Sequence, residues 1–180
     1  ASVDKPFFAY LGDFDKNGSW DTYLGSYDKD GKVYPVRGRQ CSSEQMPFIA
    51  EKYKNYESFA VEPIEKVLDG KLDQVQIRKV EMFESGVFIN EGGKFSFRAF
   101  PAEVQIAPVN DFVLYDFNKD GIQDIAYGGN YHDREVETTR SDAGIGGIML
   151  VQKGGELKFV HPMQSGFFLN KDVRKMKLLK

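Results

Sequence analysis

Asp13-Phe14-Asp15-Lys16-Asn17-Gly18-Ser19-Trp20-Asp21 returns at 116–124 as Asp116-Phe117-Asn118-Lys119-Asp120-Gly121-Ile122-Gln123-Asp124. The same offset aligns Ala9-Tyr10-Leu11 with Phe112-Val113-Leu114, and Thr22-Tyr23-Leu24-Gly25 with Ile125-Ala126-Tyr127-Gly128. The likeness therefore runs through the apolar segments on both sides of the acidic loop, which marks the repetition of a whole supersecondary unit. Further on, Glu91-Gly92-Gly93-Lys94-Phe95-Ser96-Phe97 resembles Lys153-Gly154-Gly155-Glu156-Leu157-Lys158-Phe159 at a shorter offset. The first copy thus carries an insertion that the second lacks.

Each loop places a side-chain oxygen at positions 1, 3, 5 and 9 and Gly at position 6. These residues are Asp13, Asp15, Asn17 and Asp21 in the first loop, and Asp116, Asn118, Asp120 and Asp124 in the second. A calcium ion takes six to eight oxygen ligands at about 2.3–2.6 Å, and alternate residues of a curled loop can face one centre where a Gly permits the sharp turn. The carbonyls of Ser19 and Ile122, at position 7, are expected to add to the shell. An EF-hand does not fit, because its closing Glu at position 12 would fall on Leu24 and Tyr127 and the flanks read as strands. One such cluster alone would read as a polar surface turn; two with identical spacing, between matching apolar flanks, point to calcium. Two bound dications would move the formal charge from -3 to +1.

Nine segments are rich in aromatic and β-branched residues and bounded by turns, which predicts strands at 6–12, 22–27, 75–82, 86–90, 95–100, 111–115, 124–128, 147–152 and 157–160. Asp30-Gly31, Gly92-Gly93 and Gly154-Gly155 supply the positive φ of tight turns. Between Ser42 and Gly70 the period changes to that of a helix. Met46, Ile49, Ala50 and Tyr53 form one apolar stripe and Ile64, Val67 and Leu68 another, with Pro47 and Pro63 suited to helix starts. Two short helices are expected there.

Strand, Asp-x-[Asp/Asn]-x-[Asp/Asn]-Gly-x-x-Asp, strand, then an apolar strand, a Gly-Gly turn and a Phe-containing strand is similar to the FG-GAP or VCBS repeat. That family includes the integrin α-subunit head and bacterial surface proteins, and the chain looks most like bacterial VCBS-repeat and ASPIC/UnbV-type proteins. The resemblance implies an all-β, propeller-like fold with structural calcium at the two loops. It divides the chain into a first repeat at 1–110 with a helical insertion at about 42–72, a second at 111–162, and the start of a third blade or closing strand at 163–180. Two repeats cannot close a ring, so a piece of a longer propeller, open to self-association, is the expectation.

The 180 residues are 41% hydrophobic, which suffices for a sizeable core, and 24 basic against 27 acidic residues give no basic excess to favour nucleic acid. No apolar run approaches the roughly 20 residues of a membrane-spanning helix. A single Cys41 forms no internal disulfide, and two histidines cannot build a Cys/His zinc cluster. Residues 1–4 show neither a basic segment nor an apolar signal core, so any targeting segment is expected to be outside this chain. Arg37 and Arg39, which flank a Gly, read as a solvated hairpin end. The polar stretch Tyr131–Asp142 is the best candidate for a recognition surface, with Tyr131, His132, Arg134, Arg140 and Asp142 as ligand contacts. A catalytic reading, with His132 as base and Glu135 or Asp142 as partner, is the weaker one, and no catalytic residue is assigned. Phe7, Phe8, Tyr10, Phe88, Phe95, Phe97 and Phe100 are expected in the core. The function read from the sequence is a non-catalytic calcium-binding module outside the cytoplasm that binds a protein or glycan, with a carbohydrate-binding or carbohydrate-active propeller as the alternative.

Overall fold

The computed structural model describes residues 1–70, 72, 75–135 and 138–179. Lys71 of the expected insertion, Val136 and Glu137 of the polar stretch and Lys180 of the expected third blade lie outside them. Antiparallel sheet dominates, helix is the minor component, and none of the sheets closes on itself. The chain forms two compact units, Ala1–Phe83 and Glu84–Lys180. The repeat reading places its junction at 110/111 instead, because the Gly86–Asn90 hairpin belongs by sequence to the first copy and by packing to the second unit.

The first unit is built on β1 (Phe7–Gly12) and β2 (Asp21–Tyr27), which pair antiparallel across the first acidic loop. Strand alternation places Phe8, Tyr10 and Gly12 of β1 on one face, opposite Gly25, Tyr23 and Asp21 of β2. Small faces large at Phe8/Gly25, and that gap receives a helix: a Cβ on Gly25 would lie 3.0 Å from Ile64 Cδ1 and 2.8 Å from Val33 Cγ1. β3 (Val33–Pro35) takes the outer edge of β2, and β4 (Gln76–Val80) takes that of β1, giving the order β3-β2-β1-β4. Between them run α1 (Arg39–Gln45), α2 (Phe48–Lys52), α3 (Tyr56–Ala60) and α4 (Ile64–Val67). The two expected helices are four, because Pro47 cannot continue α1 and Asn55 opens a new helix by accepting a hydrogen bond from the Ser58 N–H at 2.8 Å. Their apolar stripes, Met46, Ile49, Tyr53, Phe59, Ile64, Val67 and Leu68, close over Phe8, Tyr10, Phe14 and Tyr23 as one core. Arg39 is not a solvated hairpin end: its Nε donates to the Tyr53 carbonyl at 2.6 Å and ties α1 to α2.

The second unit holds the meander β7 (Val109–Tyr115), β8 (Asp124–Gly129), β9 (Gly147–Val151) and β10 (Leu157–Val160), in the order β10-β9-β8-β7. Its core gathers Ile125, Tyr127 and Met149 with Phe100 and Val104. β5 (Gly86–Glu91) and β6 (Lys94–Ala99) form a separate two-stranded sheet among the described residues. The parallel drawn from the sequence between this hairpin and β9–β10 therefore does not extend to the sheet: β9 lies beside β8, whereas the matching edge of β2 is filled by the three residues of β3. Phe88 and Phe95 point outward from the hairpin at 66% and 63% exposure, so they are not core, while Phe8, Tyr10 and Phe100 are.

No strand forms at 163–179. After β10 comes α5 (Pro162–Ser165), then an irregular tail that lies against β7 and β8. The Val173 N–H donates to the Gly129 carbonyl at 2.8 Å, and Asn110 Nδ2 donates to the Val173 carbonyl at 3.0 Å. In place of a third blade or closing strand there is a strap held by both backbone and side-chain hydrogen bonds.

Candidate metal centres

The two acidic loops fold alike, position by position. Position 4 is left-handed in both, Lys16 at φ 61° and Lys119 at φ 62°, and position 6 is Gly18 and Gly121, each at φ 87°. That conformation turns successive N–H groups inward onto the loop's own oxygens. In the first loop the Asn17 N–H donates to Asp13 Oδ1 (3.0 Å) and Asp15 Oδ1 (3.1 Å), and the Gly18 N–H to Asp13 Oδ2 (2.9 Å). In the second, the Asp120 N–H donates to Asp116 Oδ1 (3.1 Å) and Asn118 Oδ1 (3.0 Å), and the Gly121 N–H to Asp116 Oδ2 (2.9 Å). The position 7 N–H groups of Ser19 and Ile122 donate to Asn17 Oδ1 (2.7 Å) and Asp120 Oδ1 (2.8 Å).

Positions 3 and 5 carry one amide and one carboxylate in each loop, in opposite order. Asn17 Nδ2 donates to Asp15 Oδ2 at 3.0 Å, and Asn118 Nδ2 to Asp120 Oδ2 at 2.8 Å. The exchange keeps three carboxylates and one amide per loop and preserves the bond between them.

The closing carboxylates are the buried ones, Asp21 at 6% and Asp124 at 0% exposure. Each spans its loop from the start of a strand and accepts from the position 2 N–H: Phe14 to Asp21 Oδ2 at 3.2 Å, Phe117 to Asp124 Oδ2 at 3.0 Å. The second oxygens differ in partner. Asp124 Oδ1 accepts the Val151 N–H from β9 at 2.9 Å, whereas Asp21 Oδ1 accepts Gln45 Nε2 from α1 at 3.3 Å.

Asp13, Asp15 and Asp21 bring one carboxylate oxygen each to within 4.8 Å of one another. Two oxygens on one calcium ion can be at most about 5.2 Å apart, twice the longest usual bond, so the trio is compatible with a single ion. The donors are oxygens without nitrogen or sulfur, which suits a hard cation. The equivalent positions of the second loop hold two carboxylates and an amide, Asp116, Asn118 and Asp124. The chain matches no protein-family model, no curated protein and no solved structure. What the loops can do is therefore argued from their donors alone.

The polar stretch is organised differently from a free recognition loop. Tyr131 and Ser141 exchange backbone hydrogen bonds of 2.8 and 3.0 Å, and Arg134 Nη2 donates to Ser141 Oγ at 2.6 Å. The guanidinium groups of Arg134 and Arg174 lie over the Tyr131 ring at 5.2 and 5.0 Å, so the chain itself occupies the aromatic surface. The His132 N–H donates to Asp172 Oδ2 at 3.0 Å, and His132 Nε2 is enclosed with no hydrogen-bond partner among the described residues. Arg140 and Asp142 are exposed. Glu135 accepts from Thr138 Oγ1 at 2.7 Å. Among the described residues no acidic partner reaches His132 Nε2.

Two carboxylates hold the tail here. The His132 N–H, and beyond it the Arg174 guanidinium, keeps the Asp172 carboxyl below its usual 3.8; the N–H of Met176, with that of Phe112, does the same for Asp111. Groups with lowered folded pKa stabilise fully above the unfolded value and lose that contribution as pH falls through the folded one. The strap should accordingly be fully docked at neutral pH and released below about pH 3.8. Hydrogen exchange at 169–176 should rise in that window before the amides of β8 do; simultaneous loss would contradict a separately held strap.

Among the described residues no helix is long and apolar enough to cross a membrane.

Proposed function

We propose that the chain is a non-catalytic calcium-binding module of the FG-GAP/VCBS kind, in which two ions fix the loops at one end of paired strands and the strands present a surface to a protein partner. The observation that carries this reading is the shared hydrogen-bond register of the two loops, down to the left-handed Lys and the Gly that follows two residues later. A simple turn needs one or two of these features; an ion needs the full set of oxygens. Asp13, Asp15, Asn17 and Asp21 would hold one ion and Asp116, Asn118, Asp120 and Asp124 the other, with the Ser19 and Ile122 carbonyls as further donors. When bound, each ion would offset two of the three carboxylate charges of its loop. The four-stranded meander of the second unit supports blade architecture within a longer propeller, and mixed Asp/Asn ligands suit calcium near millimolar, outside the cytoplasm.

Calcium should bind the folded chain far better than the unfolded one. At a hundredfold excess over Kd this adds about 2.7 kcal/mol per site. Differential scanning calorimetry with excess calcium and with chelator should give well-separated melting temperatures, and calorimetric titration should give two ions per chain. Coincident melting curves would sink the reading. Asp116→Ala should remove one ion and leave the other.

A second reading, glycan binding, is favoured by one observation: Phe88 and Phe95 are exposed on one face of the β5–β6 hairpin, beside half-buried Phe97. Tyr131 is the weaker stacking platform, because guanidinium groups cover it. Saturable, composition-specific signal on a glycan array, lost in Phe88→Ala, would favour this reading over a protein partner.

A further inference from the structure

We infer that Gln45 is a positioning residue for the first loop, and that the helical insertion and this loop respond to a cation as one unit while the second loop responds alone. The inference rests on the calcium reading of the loops and adds to it which part of the molecule each loop controls.

The two copies differ at the same place. In the second unit, the strand beside β8 supplies the N–H that holds the closing carboxylate, Val151 to Asp124 Oδ1 at 2.9 Å. In the first unit, among the described residues, no strand lies beside the start of β2 on the side away from β1, since β3 pairs only with Gly25, Ser26 and Tyr27. The side-chain amide of Gln45 fills that place twice over. Its Nε2 lies 3.3 Å from Asp21 Oδ1 and 3.3 Å from the Thr22 carbonyl, an acceptor on the edge of β2. One primary amide has two N–H groups, which is the number needed.

The geometry of the two elements brings Gln45 to this position. Ser42 and Gln45 are three apart on α1 and share a face; Asp21 and Tyr23 are two apart on β2 and share a face. The first contact between the faces is Tyr23 Oη donating to Ser42 Oγ at 2.9 Å, fully buried. The next contact along both elements is Gln45 to Asp21. Buried Met46, which follows Gln45, anchors the end of the helix in the core. Asp21 is thus oriented by a helix whose own placement depends on β2.

Groups that orient a metal-ligating side chain affect metal affinity by roughly 10–100-fold. At 3.3 Å and near the surface, Gln45→Met should weaken the first site by about tenfold, the low end of that range. Trp20, the only tryptophan in the chain, occupies position 8 of the first loop, whereas the second has Gln123 there. Terbium emission sensitised through tryptophan therefore reports the first loop, and total heat in a calcium titration reports both.

Parent and Gln45→Met proteins are titrated with terbium and with calcium, and hydrogen exchange is followed in α1 with and without calcium. Gln45→Met keeps the helix propensity and approximate bulk of the side chain and removes its amide, whose N–H groups make the two bonds. The expected result is a tryptophan-sensitised midpoint shifted about tenfold, a second site with unchanged affinity, and calcium-induced protection of α1 in the parent alone. A Gln45→Met midpoint equal to that of a parent that does bind would overturn the inference and leave the calcium reading standing. A parent that takes up neither ion would overturn both. Asp124→Ala serves as the converse variant: protection of α1 by calcium should persist in it, and its loss would contradict the separateness of the two loops.

Discussion

Phe14→Ala should cost the first unit about 3–5 kcal/mol, the range for removing a buried aromatic ring. Phe14 is 1% exposed although it stands at position 2 of an otherwise solvated loop. Its ring belongs to the core formed by Tyr10, Tyr23, Met46 and Leu68, and its N–H closes the loop onto Asp21. The loop is therefore pinned from inside, by burial, as well as from its rim, by carboxylates. In a unit of this size 1 kcal/mol is worth about 4–8 °C, so the melting temperature should fall on the order of 20 °C. The half-buried Phe117 at the matching position should cost clearly less when replaced by Ala. Thermal unfolding followed by circular dichroism decides this; a drop of less than about 5 °C for Phe14→Ala would contradict the packing described.

The second large effect is expected at Gly129, the last residue of β8. A Cβ there would lie 1.8 Å from the Pro108 carbonyl oxygen and 2.9 Å from its carbon. No rotamer relieves a clash with backbone, and this carbonyl is fixed because it accepts the Asn130 N–H at 3.1 Å. Next to it the β7–β8 ladder already shifts register between Val109 and Asp111. Asn130 itself is left-handed at φ 73°, 1% exposed, and bonded through its side chain to the N–H and carbonyl of Gly144. Gly129→Ala must therefore displace β7, the strap or the Asn130 corner, at a cost of about 3 kcal/mol. Amides of β7 and β8 should exchange faster in the variant while those of β1 and β2 keep the parent rate. Parent-like stability in Gly129→Ala would refute the close approach.

The sequence was informative where structure is coded within a few residues. Apolar, turn-bounded runs such as Phe7–Gly12 and Leu157–Val160 carry their own strand signal, and the Asp/Asn/Gly loops carry their own curvature. Partner choice is not coded locally. β3 is three residues ending in Pro35, too short to show alternation, and it exists because β2 offers an open edge. That same occupancy leaves β5–β6 as a ribbon of its own, which is why the sequence repeat did not become two equal blades. Gln45 was invisible for a related reason: an amide three residues beyond Ser42 acquires its role only when α1 is laid on β2. The tail at 163–179 forms no strand, and its role as a strap depends on Asp111 and Asp172, which no periodicity reveals.

The return of the chain from the insertion to the far side of β1 has a kinetic consequence. Every pairing in the second sheet joins strands that follow one another in the chain, so each forms by closing a local loop. In the first sheet, Phe7 must find Val80, and the segment between them includes all four helices of the insertion. Closing that loop is entropically the most expensive step in the molecule, and it is rewarded only after the helices have condensed and shortened the path. β1 thus acquires its last neighbour late, and until then it presents a bare hydrogen-bonding edge to whatever else is nearby.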